Sequence, residues 1–265
     1  MKAIKVDLSR DLKSLEIIPL ADLHIGDKQC DLELIKEKID YIKNNENVYC
    51  ILNGDILNNS VKTSVGDVYS ETLTPMEQLQ QALTLFEPIK DKILCVTTGN
   101  HEARTWKNDG IDLMGLLCSS LNIYNKYVNE SAVIFLRFGK ESRGNKESNG
   151  SGKTRKVSYT LFVAHGSGGG RKEGAKANRL AEMASIVDAD IYIHSHTHLP
   201  LIMKQAFHRL DVRNSSISIV DKLFVNTSAY LNYGGYGEVA EFKPSSKESP
   251  HIYLSGTKKQ FTAKL

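Results

Sequence analysis

Six of the eight histidines fall in four short segments: His24, His101, His165, and the run His194, His196, His198. Each segment follows or ends an apolar run that reads as a strand. Acidic and amide residues accompany them, in Asp22-Leu23-His24, Gly54-Asp55, Gly99-Asn100-His101-Glu102, His165-Gly166 and His194-Ser195-His196-Thr197-His198. Imidazoles, carboxylates and one carboxamide form the donor mixture that suits borderline divalent ions such as Mn, Fe, Zn or Ni. In an open α/β sheet ligands bind at the carboxyl ends of strands, so residues distant in sequence can converge there.

The spacing adds to this. In an extended segment residues i and i+2 point the same way, so Asp22 with His24, and His196 with His198, reach a common cavity from one strand end. Two ions held about 3.5–4 Å apart by a shared carboxylate lower the pKa of a bound water and clamp both oxygens of a displacement at phosphorus. Gly54 and Gly99 allow the sharp turns that face strand-end side chains inward. Any one of these residues alone reads as a turn former, a helix cap or a hydrogen-bonded structural histidine; the conjunction does not.

In this order the segments resemble the signature of the calcineurin-like metallophosphoesterases, DxH, GD, GNH(D/E), H and GHxH, spread over positions 22 to 198. The resemblance implies an α/β fold, a four-layer α/β/β/α sandwich of two mixed sheets flanked by helices, with a dinuclear site at the sheet edges. It implies that Asp22, His24, Asp55 and His198 hold one metal and that Asp55, Asn100, His165 and His196 hold the other, Asp55 bridging. His101 matches the histidine that binds no metal and assists the transition state or the leaving group. The implied cofactors are two divalent metal ions, Mn first, with Fe, Zn, Ni or Mg as alternatives. The implied reaction is phosphoester hydrolysis by in-line attack of a metal-bridging hydroxide.

Two departures qualify the match. Ser195 stands where the family usually has glycine. Ile56-Leu57-Asn58-Asn59 follows Gly54-Asp55 without the second Asp and the Arg that mark the protein Ser/Thr phosphatase branch, which turns the reading away from phosphoprotein substrates. His194 has no counterpart among the ligands and reads as a strand-end residue supporting one.

The expected substrates are phosphodiesters, in nucleic acid as for the Mre11-like nucleases or in a nucleotide. A small phosphomonoester is the alternative within the enzyme class. A non-catalytic scaffold on the same fold is the alternative outside it, disfavoured because a scaffold has no need of His101 beside an intact ligand set. Arg104, Arg171 and Lys172 are the candidate contacts to a substrate phosphate. The last two lie in a Gly-rich stretch from Gly166 to Gly174 that precedes a helix and could cradle an anion. Tyr230, Tyr233 and Tyr236 read as strand-edge packing rather than base stacking.

The elements that must position these residues show in the hydrophobic pattern. Glu16 to Ala21, Val48 to Asn53 and Lys92 to Thr98 read as buried strands. Leu32, Ile35, Ile39 and Ile42, and Met76, Leu79, Leu83 and Phe86, mark two amphipathic helices, the first capped by Asp31. Further strands are expected at Ser131 to Phe138, Val157 to Ala164, Asp190 to His194 and beyond Pro200, with a helix from about Ala175 to Val187.

With 41% hydrophobic and 25% charged residues and a net charge of +3, the 265-residue chain is an ordinary globular one, neither disordered nor strongly enough basic to argue for nucleic acid by charge alone. It reads as a single domain over residues 1–265, cytoplasmic, with no membrane span and with oligomeric state left open. The four cysteines form no CxxC pair and fit buried reduced thiols. Residues 140–156 hold six basic and two acidic side chains and no anchoring apolar group, which reads as a flexible basic hairpin. The tail from about residue 244 reads as loosely held.

Overall fold

The apolar runs become strands and the periodic segments helices, in the order β1 (Lys2–Asp7), β2 (Ser14–Leu20), α1 (Leu32–Asn44), β3 (Val48–Asn53), α2 (Pro75–Phe86), β4 (Ile93–Thr97), α3 (Glu102–Asp109), α4 (Leu113–Ser120) and β5 (Tyr127–Val128). The second half adds β6 (Ala132–Phe138), β7 (Val157–Val163), α5 (Glu173–Glu182), β8 (Ile191–His194), β9 (Leu201–Asp211), β10 (Ser216–Asn226), α6 (Gly235–Val239), β11 (His251–Ser255) and β12 (Phe261–Lys264). The computed structural model describes residues 1–62, 64, 68–141, 155–168 and 170–265, so most of the expected basic hairpin lies outside the described residues.

Two six-stranded sheets result, ordered β12-β11-β2-β3-β4-β5 and β1-β6-β7-β8-β10-β9. β2, β3, β4 and β5 run parallel, as do β7, β8 and β10, while β11 on one side and β9 on the other add antiparallel neighbours. Both sheets are therefore mixed. Their stacking follows from the period-2 alternation of side chains. Leu15 and Ile17 of β2 meet Ile134, Leu136, Leu161, Ile191 and Val225 between the sheets. Ile18 and Leu20 point the other way, to Ile35, Ile39, Leu79, Phe86 and Leu117 on the helices. Val133, Phe162, Tyr192 and Phe224 face outward from the second sheet under Leu180 and Met183. Helices, sheet, sheet and helix thus form four layers with three apolar interfaces. Each fully buried aliphatic side chain contributes roughly 1.5–3 kcal/mol.

The helix starts are set locally. Asp31 accepts a hydrogen bond from the Leu34 amide at 3.1 Å. Thr74 and Glu77 form a reciprocal capping box with Pro75 at the first position of α2. The buried stripe of α2 departs from expectation: Met76 is 61% exposed, and Gln78 is buried in its place. Gln78 is kept inside by hydrogen bonds, accepting from the Asn59 amide and donating to Glu71 and to the Leu73 carbonyl. The helix expected to Val187 ends as α5 at Glu182, and a single tighter turn, Met183–Ser185, completes it.

The expectation of a loose tail is wrong for its last part. β11 pairs with β2 and β12 with β11, and Ile252, Leu254 and Phe261 are buried. Alternation in His251-Ile252-Tyr253-Leu254 supplies one apolar face to the inter-sheet core, a signal that a count of polar residues conceals. No described helix is long and apolar enough to cross a membrane.

Candidate metal centre

β2, β3 and β4 of one sheet and β7, β8 and β10 of the other end at Leu20, Asn53, Thr97, Val163, His194 and Asn226, and the chemistry-bearing segments begin just beyond. Asp22, His24, Asp55, His196 and His198 all have left-handed backbone, with φ of 53, 49, 50, 66 and 54°. The reading of Asp22/His24 and His196/His198 as extended i, i+2 pairs is therefore wrong. The strands stop first, and each ligand candidate then sits in a conformation that costs a non-glycine residue free energy. Backbone hydrogen bonds hold it there: Asp22 and His24 amides donate to the Gly54 and Asp55 carbonyls, both at 3.1 Å.

The side chains converge in overlapping groups, Asp22 with His24 and His198, His24 with Asp55 and His101, and Asp55 with His165 and His196, ligand atoms in each lying within 4.8 Å of one another. Asp22 Oδ1 is 3.3 Å from His198 Nε2, and His24 Nε2 is 3.5 Å from the same nitrogen. Asp55 Oδ2 is 3.2 Å from His165 Nε2, which is itself 3.2 Å from Asn100 Oδ1. All seven residues expected to hold metal thus lie in or against one cluster.

The donor set fits divalent cations. His165 Nδ1 donates to the Asn53 carbonyl at 2.7 Å, and His24 Nδ1 to Asn58 Oδ1 at 3.2 Å, which turns both Nε2 atoms into the cluster. Asp22 Oδ2 accepts from the His196 amide at 3.0 Å and from Thr227, whereas buried Oδ1 of the same carboxylate makes no well-directed hydrogen bond among the described residues, its polar neighbour being His198 Nε2 at 3.3 Å. A buried carboxylate oxygen so poorly satisfied is costly. Electrostatics point the same way. Burial opposes charge on Asp55, but His165, His101 and His24 around it hold its carboxyl well below the usual range. Burial, assisted by the charge of His101, pulls His24 far down, so that its imidazole is neutral and able to ligate.

The family model described as calcineurin-like phosphoesterase matches residues 17–200, which takes in every segment of this cluster. The chain belongs to the calcineurin-like phosphoesterase family. Among solved structures it is similar to a predicted phosphoesterase from Streptococcus pneumoniae, at 13% identity and a TM-score of 0.36, over 96% of this chain and 99% of that one. It is similar to a metallophosphoesterase from Sphaerobacter thermophilus, at 12% identity and TM-score 0.40, over 91% and 84%. It is also similar to a double mutant of Vps29 from Entamoeba histolytica, at 13% identity and TM-score 0.44, over 94% and 90%. Among curated proteins none matches.

In this calcineurin-like phosphoesterase His101 lies beside the cluster, its Nε2 3.8 Å from Asp55 Oδ2. His101 Nδ1 donates to the Asn58 carbonyl at 2.6 Å, and the Arg104 guanidinium donates to Nε2 at 3.0 Å. Burial, against the pull of Asp55, lowers the His101 pKa. Of the basic residues expected at a substrate, Arg104 is in hydrogen-bond contact with the site. Arg171 lies over the Phe242 ring, 5.2 Å from its centroid, and Lys172 precedes α5. Residue 169 of the Gly-rich stretch lies outside the described residues. Tyr230 is buried against Ser249, as packing requires, and Tyr233 is exposed.

The departure at Ser195 has a structural reason. Its backbone is not left-handed, so glycine is not required, and its hydroxyl accepts from Asn53 Nδ2 at 2.6 Å. Gly54 does need its freedom, with φ +78°, whereas Gly99 needs space: a Cβ there would collide with the Asp55 carboxylate and amide.

Three positioning residues escaped the sequence reading. Glu102 is buried and accepts from the amides of Asp55, Leu57 and Gly99 at 3.1, 2.9 and 2.9 Å, pinning the turn that presents Asp55. Burial together with the charge of Asp55 pushes its carboxyl up to about 7. Asn226 donates to Thr197 Oγ1 at 2.9 Å and to the Leu199 carbonyl at 2.6 Å, and accepts from His194 Nδ1 at 2.7 Å, so it braces the loop carrying His196 and His198. Asn58 orients His24 and His101 together. For Asn58 and Glu102 the available signal was an amide or acid within three residues of a ligand block; Asn226, far beyond the last block, had none.

Proposed function

We propose that the chain hydrolyses phosphodiesters, of nucleic acid or of a nucleotide, at a centre of two divalent cations. The observation that carries this reading is Asp55, whose carboxylate belongs both to the group with His24 and His101 and to the group with His165 and His196, His24 in turn grouping with Asp22 and His198. In this reading Asp22, His24 and His198 hold one cation, Asn100, His165 and His196 hold the other, and Asp55 serves both. Bound there, two divalent ions, Mn²⁺ first, would supply an activated water and neutralise charge on the phosphoryl oxygens.

The chain's own groups do the remainder. His101, fixed by the Asn58 carbonyl, accepts from the Arg104 guanidinium at Nε2, so that the positive charge held toward the leaving oxygen is that of Arg104. Arg104 also donates to the Asn58 carbonyl at 3.3 Å, so the two residues are aligned by a single acceptor. Asn58 and Asn59 stand where the protein-phosphatase branch carries its second Asp and Arg, which supports a substrate other than phosphoprotein. Asn59 is spent on structure: its amide donates to the His101 carbonyl at 2.7 Å, and its oxygen accepts from Thr105 at 2.7 Å.

The test is a paired assay in Mn²⁺ with bis(4-nitrophenyl) phosphate and 4-nitrophenyl phosphate, followed by single- and double-stranded DNA. The reading expects turnover of the diester to exceed that of the monoester. Turnover of the monoester alone would assign a phosphomonoesterase, and hydrolysis of neither would assign a scaffold.

A further inference from the structure

A second cluster of titratable groups lies beneath α1, apart from the metal centre. Glu16 of β2 is 6% exposed. His251 Nδ1 of β11 donates to Glu16 Oε1 at 2.5 Å, and the Tyr41 hydroxyl of α1 donates to Oε2 at 3.2 Å. With Nδ1 committed as donor, His251 Nε2 is the acceptor, and Lys38 Nζ lies 3.3 Å from it. An amine, an imidazole and a buried carboxylate therefore stand in a row, the order in which a nucleophile, its base and the group orienting that base are arranged in activated sites.

The partner distinguishes this lysine from its neighbour. Lys36, two residues earlier on α1, meets the Glu33 carboxylate at 2.7 Å. Lys38 meets instead an imidazole nitrogen, and Glu16 accepts from the other nitrogen of the same ring. Burial pulls the Lys38 amine below its usual value, opposed by the charges of Glu16 and Glu37. Among the described residues, Tyr41 and Tyr253 also lie beside His251, at 5.9 and 6.5 Å between ring centroids, and Lys264, its cross-strand partner on β12, places its ammonium over the Tyr253 ring.

We propose that Lys38 is an acylation site, with His251 as its base and Glu16 orienting that base, and that it takes the acyl group from an acyl phosphate. In the step, a proton passes from Lys38 Nζ to His251 Nε2, and the neutral amine attacks the acyl carbonyl carbon. The N–C bond forms, the C–O bond to phosphate breaks, and inorganic phosphate leaves with the electron pair. The second nitrogen proton and the imidazolium proton pass to solvent. The product is an ε-amide that has lost its charge, its contact with His251 weakened.

Acetyl phosphate is the probe, incubated with the full chain, and acetylation is quantified residue by residue by peptide mass spectrometry. Lys43, exposed on the same helix, is the internal reference. An amine with a base at hydrogen-bond distance should react at least about tenfold faster than that reference. His251→Gln should bring Lys38 to the rate of Lys43 while leaving Lys43 unchanged, and Glu16→Gln should move it the same way. A Lys38 rate in the wild-type chain no greater than that of Lys43 would overturn the proposal without recourse to any variant. So would a fast Lys38 that a folded His251→Gln protein leaves equally fast.

Discussion

His165 Nε2 lies 3.2 Å from Asp55 Oδ2, with both side chains almost wholly enclosed. Burial by itself would pull the imidazole down, but the Asp55 charge and hydrogen bond outweigh it and raise the His165 pKa to about 10. Without metal, a proton occupies the nitrogen that a cation needs.

Metal uptake is therefore expected to release about one proton per chain near pH 7.5. Titration calorimetry in buffers of different ionisation enthalpy measures it. The sign for stability is fixed as well. His165 has a raised pKa, so its contribution to the metal-free fold is complete below the ordinary value of 6.5 and is lost as pH rises toward about 10. Denaturant midpoints of the metal-free protein should fall over that window while metal affinity rises.

Asn226→Ala should weaken metal binding about 10- to 100-fold, because the loop presenting His196 and His198 loses its brace. Buried donors and acceptors left unpaired should cost a further roughly 1–3 kcal/mol of stability. Competition with a fluorescent chelator reads the first effect and urea unfolding the second. A variant that binds metal as tightly as the parent would assign Asn226 a purely structural role.

Gly99→Ala should abolish activity by displacing the Asp55 carboxylate, since the added methyl has no room beside it. The partner change Glu102→Gln should be milder but in the same direction. One of the two carboxylate oxygens serving the Asp55, Leu57 and Gly99 amides becomes an NH₂ group that cannot accept. A loss of about 2 kcal/mol is expected, checked by thermal unfolding.

His101→Ala should keep bound metal and lower turnover by about 10²- to 10⁴-fold, as for loss of a group that assists the transition state or the leaving oxygen. Arg104→Ala should lower turnover less and leave metal content alone, because it reaches the site through His101. Metal analysis alongside steady-state kinetics separates these from ligand loss. His101→Ala with undiminished turnover of every substrate would remove its assigned role.

The converging residues were legible because each block pairs an apolar run with residues that rarely sit together for structural reasons alone; the strands followed from short apolar runs and the main helices from a period of 3.6, while the two-sheet sandwich came from the family resemblance. The supporting polar residues were not. Asn226 and Glu102 act through contacts made only once neighbouring strands, β8 with β10 and β3 with β4, bring distant segments together, and nothing local distinguishes a buried Asn from a turn former. The left-handed backbone at Asp22, His24, Asp55, His196 and His198 was equally hidden, since these residue types carry no obligation to adopt it. β1 escaped as well: its Lys-Ala-Ile-Lys-Val-Asp run buries one side chain well, Ile4, at a sheet edge, where few apolar residues are needed. α4 was missed because Leu113-Met114-Gly115-Leu116-Leu117 is apolar on nearly every face, which blurs its period.

The most direct test of the central claim is the metal content of Mn²⁺-reconstituted protein, wild type beside Asp55→Asn, by inductively coupled plasma mass spectrometry after gel filtration. The account predicts about two ions per wild-type chain, as for other two-metal sites, and less than one in the variant. A wild-type chain that retains none, or a folded Asp55→Asn chain that retains as many as its parent, would contradict it.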